Sequence, residues 1–238
     1  MNRLIGFSTG VMFASMGPVS EAIFQIIHSI GCNHVEIHAH NEEHVDELSC
    51  NEEVLGAYVY ERFKSRSVHL PAMAIDSDNA LYFGRATSMF LSQDACIVIH
   101  PDFKHDFDEI TTFFPRGVAV ENMDNRKKAF RTLQDMRNLF VRHPELKFCF
   151  DVQHWIINDN PVSDIPKIIA EFGDRITCVH LSGIGRNKYH VPIYTVGQHD
   201  FIRALETLPP HLPIVLEGVC DNVESMWTEF SLVKHILT

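Results

Sequence analysis

Six short apolar runs in this chain each end on a group that can bind a metal or move a proton. They read Ser67-Val68-His69, Ile97-Val98-Ile99-His100, Val118-Ala119-Val120-Glu121, Phe148-Cys149-Phe150-Asp151, Cys178-Val179-His180 and Ile214-Val215-Leu216-Glu217. Each has the length and the β-branched or aromatic content of a buried parallel strand. An imidazole or carboxylate at the same end of six successive strands contributes nothing to a core. In a barrel of parallel strands those ends meet at one mouth, where active sites sit. Three histidines and three carboxylates converging there suit a divalent ion such as zinc, manganese or iron.

The spacing divides these groups into roles. Glu121, Asp151, His180 and Glu217 fall on strands five to eight and can hold one ion with room for a substrate oxygen. His69 and His100, on strands three and four, face across from them. With Glu121 bridging, they can hold a second ion about 3.5–4 Å from the first, an arrangement that favours displacement at phosphorus. His154 follows Asp151 by three residues on the turn leaving strand six, and His190 lies in the long loop after strand seven. These two are either further ligands or supporting histidines. Glu36 and His38 close strand two and either enter the pocket or face solvent.

The elements that must position these groups alternate along the chain. Strand one is expected near Leu4–Ser8, with a helix opening at Pro18 and closing at Gly31. Strand two is His34–His38, followed by a polar helical stretch to about Lys64. Helices are expected near Ser77–Ser92, Asp106–Phe113, Asn125–Arg142, Ser163–Phe172, Gln198–Leu208 and Val223–Ile236. In the helix Asn125–Arg142, Phe130, Leu133, Met136, Leu139 and Phe140 form one apolar stripe. The class is α/β: a single (β/α)₈ TIM barrel over residues 1–238, with its active site at the C-terminal ends of the strands.

Register and composition support the same architecture. Cys96, Cys149 and Cys178 lie two or four residues before His100, Asp151 and His180, so each shares a face with its ligand. Ser67, Ala119 and Val215 do the same on other strands. The inward face below the ligands is therefore small, and the outward face, with Ile97, Ile99, Phe148, Phe150 and Leu216, is bulky enough to bind helices. The cysteines are read as interior filler. Six cysteines without a Cys-x-x-Cys pair, and no signal-peptide pattern before strand one, point to reduced thiols in the cytoplasm. No apolar run is long enough to span a bilayer.

Val98-Ile99-His100-Pro101, Val120-Glu121-Asn122, Phe150-Asp151-Val152-Gln153-His154, Val179-His180-Leu181-Ser182 and Leu216-Glu217-Gly218, together with His69, resemble the motifs of the xylose isomerase-like TIM-barrel superfamily. That superfamily includes endonuclease IV and many sugar isomerases and epimerases. By resemblance to endonuclease IV, which uses three zinc ions, one ion would be held by His69, His100 and Glu121. A second would be held by Glu121, Asp151, His180 and Glu217. The third would use His154 and a late Asp-x-His pair, but this chain has Lys188-Tyr189-His190 there. A lysine in the aspartate's place would repel a third cation, so two ions are expected.

Leu70-Pro71-Ala72 lacks the aromatic that the repair enzyme inserts into DNA, and 31 acidic against 20 basic residues give a net charge of −11. Duplex DNA is therefore not expected as the substrate. By resemblance to the epimerases, one ion on the Glu121, Asp151, His180, Glu217 quartet would serve while Glu121 and Glu217 exchange a proton. Arg186, six residues past His180, would then hold the substrate. Arg186 and Lys188 are accordingly expected as anchors of an anionic substrate. The sequence thus leads first to a dinuclear hydrolase of a phosphoester or similar small anion. A mononuclear sugar or sugar-phosphate isomerase/epimerase is the alternative, and a metal-binding protein without catalytic activity is the third reading.

Overall fold

A computed structural model describes residues 3–237, apart from 93, 94, 96, 115, 116 and 188, and apart from the side chains of 200 and 201. The expectations for Cys96 and Lys188 lie outside the described residues. Ten strands are present among these: β1 Ile5–Ser8, β2 His34–His38, β3 Ser65–His69, β4 Ile97–Ile99, β5 Val118–Glu121, β6 Lys147–Asp151, β7 Ile176–Leu181, β8 Gly183–Ile184, β9 His190–Val191 and β10 Ile214–Leu216. Eight of them close a barrel in the order β1-β2-β3-β4-β5-β6-β7-β10, and β8 pairs with β9 as a small antiparallel hairpin. Every barrel pairing is parallel. The chain is a single (β/α)₈ TIM barrel.

The two faces of the strands do different work. Ile97, Ile99, Phe148, Phe150 and Leu216 point outward into the main apolar core with the helices. Val98, Ala119, Cys149, Cys178 and Val215 form a separate buried cluster inside the barrel. Small side chains are what a closed eight-stranded interior can hold. Gly6 shows how tight the wall is: a Cβ there would stand 1.8 Å from the His34 carbonyl oxygen on the adjoining strand.

Two helix expectations need correction, and one helix was not anticipated. The helix expected over Asn125–Arg142 begins only at Leu133. Thr132 caps it, accepting from the Asp135 N–H while Asp135 reaches back to the Thr132 N–H. That reciprocal box fixes the start, and Phe130 before it has φ 62°, which no helix continues. Residues 125–131 are therefore loop. The polar stretch before Lys64 is two helices, Glu42–Cys50 and Glu52–Arg62, broken at Asn51. After Asp151 the chain forms a short helix, Val152–Ile157, where a turn was expected. Asp151 caps it by accepting from the His154 N–H at 2.7 Å.

Candidate metal centre

The parallel register brings the strand ends to one level. Asp151 is paired with His180, and His38 with His69. Glu121 sits at the centre and uses its two oxygens on two different sides. Its Oε2 is 3.2 Å from His69 Nε2 and 3.1 Å from His100 Nε2. Its Oε1 is 3.3 Å from His180 Nδ1 and 3.4 Å from His154 Nδ1. His180 Nδ1 is also 3.2 Å from Glu217 Oε1. Among the described residues, donor atoms within 4.8 Å of one another form three groups at this mouth: His69, His100, Glu121; Glu121, Asp151, His180, Glu217; and Asp151, His154, His190; two further groups are Cys149, Cys178, His180 and Asp108, His143, Glu145. Every ligand proposed from sequence falls in at least one of them.

Neighbouring hydrogen bonds hold these donors in place. Asn122 donates from Nδ2 to the Asp151 carbonyl and accepts from the Asp151 N–H, both at 2.8 Å, which ties the ends of β5 and β6 together. His69 Nδ1 lies 2.9 Å from the Leu70 carbonyl oxygen, leaving Nε2 toward Glu121. His154 Nδ1 meets the Asn122 carbonyl oxygen at 2.8 Å, and His190 Nδ1 meets Ser182 Oγ at 2.9 Å. The loop carrying His190 is anchored from below by Glu229. This buried carboxylate accepts from the Ile193 and Tyr194 N–H groups at 2.8 and 3.2 Å.

The electrostatics fit a cation. Burial opposes ionisation of Glu121, yet the charge of His154 and hydrogen bonds from His100, His180 and His69 hold its carboxyl well below the usual range. Burial is likewise opposed at Glu217, where His180 brings the carboxyl down to about 2. Asp151 goes the other way: burial, then the charges of Glu121 and Glu217, push it well above the usual range. Its Oδ2 is buried without a hydrogen-bond partner. A divalent ion would relieve that repulsion and give the orphaned oxygen a partner, displacing a proton as it binds. The residues present therefore fit a metal.

Above these groups opens a cavity of about 210 Å³, lined among others by Phe13, His38, His40, His69, His100, Glu121, Arg126, Lys127, His154, His190 and Glu217. Arg186 is exposed and does not line it. The cations that do are Arg126, ion-paired with Asp124, and Lys127, 2.7 Å from Asp102. Sequence reasoning placed both inside a helix. The signal for them was the Arg126-Lys127-Lys128 run shortly after Glu121-Asn122, combined with the capping pair Thr132 and Asp135. His38 enters the pocket, its ring stacked on His69 with centroids 4.6 Å apart. Glu36 is completely buried beneath, its Oε1 3.0 Å from His180 Nε2.

No protein-family model matches the sequence, and no curated protein matches it significantly. Solved structures do. A 3-keto-D-glucoside 4-epimerase from E. coli, in its apo form, aligns with TM-score 0.69 at 14% identity, covering 98% of this chain and 100% of that one. A probable 3-DHS dehydratase of petrobactin synthesis from Bacillus anthracis aligns with TM-score 0.70 at 15% identity, covering 98% of each chain. The IOLI protein with a bound zinc atom aligns with TM-score 0.68 at 12% identity, covering 99% of this chain and 98% of that one. The chain shares the TIM-barrel fold of these structures, and the matches run over nearly all of it. Among the described residues no helix is long and apolar enough to cross a membrane.

Proposed function

We propose that this protein is a divalent-metal-dependent isomerase or epimerase acting on a small sugar-like or anionic substrate at the barrel mouth. The observation that carries this reading is the pairing of Glu121 and Glu217. Both belong to the four-donor group, and both line the cavity. Two strands, β6 and β7, separate them around the barrel, so they flank a bound substrate. A divalent ion held by Glu121, Asp151, His180 and Glu217 would supply the positive charge that makes a proton beside a carbonyl easier to remove. Both glutamates are held ionised, so either can accept that proton; the proton returned to carbon comes from that same carboxyl, or from the other glutamate once water has protonated it. Arg126 and Lys127 at the rim are the cations placed to meet an anionic substituent, a role expected from sequence for Arg186 and Lys188. The fold's likeness to a 3-keto-D-glucoside 4-epimerase and to a zinc-bearing protein supports the reading.

A second reading rests on one specific observation. His69 and His100 converge on the Glu121 oxygen that faces away from the quartet, which suits a second ion and the phosphoester hydrolysis expected first from sequence. His154 and His190, with Asp151, form a further donor group at the same mouth. Duplex DNA is not the proposed substrate of either chemistry, given the net charge of −11.

One experiment separates the two. Metal-loaded protein is incubated with a panel of keto sugars in D₂O, and NMR follows deuterium entering the carbon next to the carbonyl. Incorporation that disappears in both Glu121→Gln and Glu217→Gln is the expected result. Phosphate release from a phosphoester panel, without any exchange and with two ions per chain, would replace the isomerase by the hydrolase.

A further inference from the structure

Glu36 is the one carboxylate among the described interior residues below the ligands. Its inward neighbours are the apolar cluster Val98, Ala119, Cys149, Cys178 and Val215, with the polar Ser67 and His34 beside it. A carboxylate there, with no exposure at all, is penalised by desolvation, a penalty that an apolar side chain of similar size would not carry. Its partners show what it touches. Oε2 accepts from Ser67 Oγ at 2.8 Å on the adjoining strand. Oε1 is 3.0 Å from His180 Nε2, reached across the lumen, since β2 and β7 are not neighbours in the barrel; the two atoms are buried against each other without an aligned hydrogen bond, and neither has another hydrogen-bond partner among the described residues. The His180 ring therefore spans two carboxylate environments: Nδ1 faces Glu121 and Glu217 at 3.3 and 3.2 Å, and Nε2 faces Glu36.

A neutral imidazole carries one N–H, and only the other nitrogen has a lone pair to give a metal. If the proton sat on Nδ1, the ring would point a donor at the ion and could not ligate it. A carboxylate against Nε2 favours the tautomer with the proton there, and it also raises the basicity of Nδ1. We propose that Glu36 is a positioning residue of the metal centre: it keeps the His180 proton on Nε2, presents the Nδ1 lone pair to the ion, and is itself aimed by Ser67. This rests on the metal-centre reading above. Glu36 touches neither the ion nor the substrate, and acts only through His180.

The test measures zinc affinity by competition with a chelator for the wild type, Glu36→Gln and Ser67→Ala, with the melting temperature of each apo protein recorded alongside. Glu36→Gln keeps the size and removes the charge. Its zinc affinity is expected to fall about 10–100-fold, the usual effect of losing such a partner, while its apo melting temperature stays at or above that of the wild type. Ser67→Ala should lose affinity by a smaller factor. In parallel, ¹⁵N-histidine NMR of the zinc-loaded wild type should show His180 protonated on Nε2 and metal-bound through Nδ1, a readout that does not depend on any variant folding. Wild-type affinity in folded Glu36→Gln, or the opposite tautomer in the wild type, overturns the inference and leaves the metal centre standing. A wild type that takes up no zinc, manganese or iron overturns the metal centre and the inference together.

Discussion

The floor of the pocket and its rim are built by different means. The floor comes from strand ends: His69, Glu121, Asp151 and His180 are each at most 2% exposed and are held by backbone register and by one another. The rim comes from loops: the Arg126 side chain is 56% exposed, Arg186 and Tyr189 are exposed, and His190 sits on the short β8–β9 hairpin. Strand-borne groups cannot move without shearing the barrel, so they suit work that needs fixed distances, such as holding an ion. Loop-borne groups can change without disturbing the fold, so they suit the choice of substrate.

The largest effect should come from the centre of the floor. Glu121→Gln is expected to lower turnover about 10²–10⁴-fold, the range for losing an acid–base group, and to lower metal content as well. Wild-type turnover at full metal occupancy would show that the floor is not the reacting centre.

Glu229 asks whether the rim can be loosened separately. Burial raises its carboxyl to about 7, although the Ile193 and Tyr194 N–H groups oppose the shift. The folded pKa lies above the unfolded one. This group's contribution to stability is therefore complete below about pH 4.5 and is lost as pH rises through about 7. From pH 5 to pH 8, apo wild type should lose more stability than apo Glu229→Gln, the difference on the order of 2 kcal/mol, as read by urea unfolding of both. Identical pH slopes for the two proteins would remove Glu229 from the account of the loop.

The rim itself is tested by its cations. Arg126→Ala should raise KM for an anionic substrate about tenfold with kcat nearly unchanged, the mark of a contact made equally in ground and transition states. Arg186→Ala should change KM less than about twofold. A larger effect at Arg186 would return the anchor to the loop after β7.

The smallest effect is expected just beneath the floor. Cys149→Ala and Cys178→Ala each remove one buried sulfur from the interior cluster, at about 1 kcal/mol of stability, and leave metal affinity unchanged. Their sulfurs and a His180 nitrogen are close enough to form a donor group of their own. A tenfold loss of metal in either variant would make these cysteines ligands and not filler.

The floor was legible in the sequence because a strand repeats every two residues. Parity alone separates Cys149 and Asp151, facing inward, from Phe148 and Phe150, facing outward, and the shared position at the strand end follows from parallel order. The rim was not legible in that way. Apolar spacing carried the helix back to Asn125, although a capping box stops it at Thr132, and so Arg126 and Lys127 were hidden inside it. His190 was visible only as a histidine in a long loop.

The sequence by itself determined the barrel, the strand faces and which groups stand at the strand ends as candidate donors, since each depends on local periodicity and on the order of elements along the chain. Only the tertiary structure decided which donors share an ion-sized space. Glu121 turns one oxygen to His69 and His100 and the other to His180, and Glu36 meets His180 across the lumen from a strand far earlier in the chain. Closure of the barrel sets those distances. A repeat read along one strand carries no information about what stands opposite it.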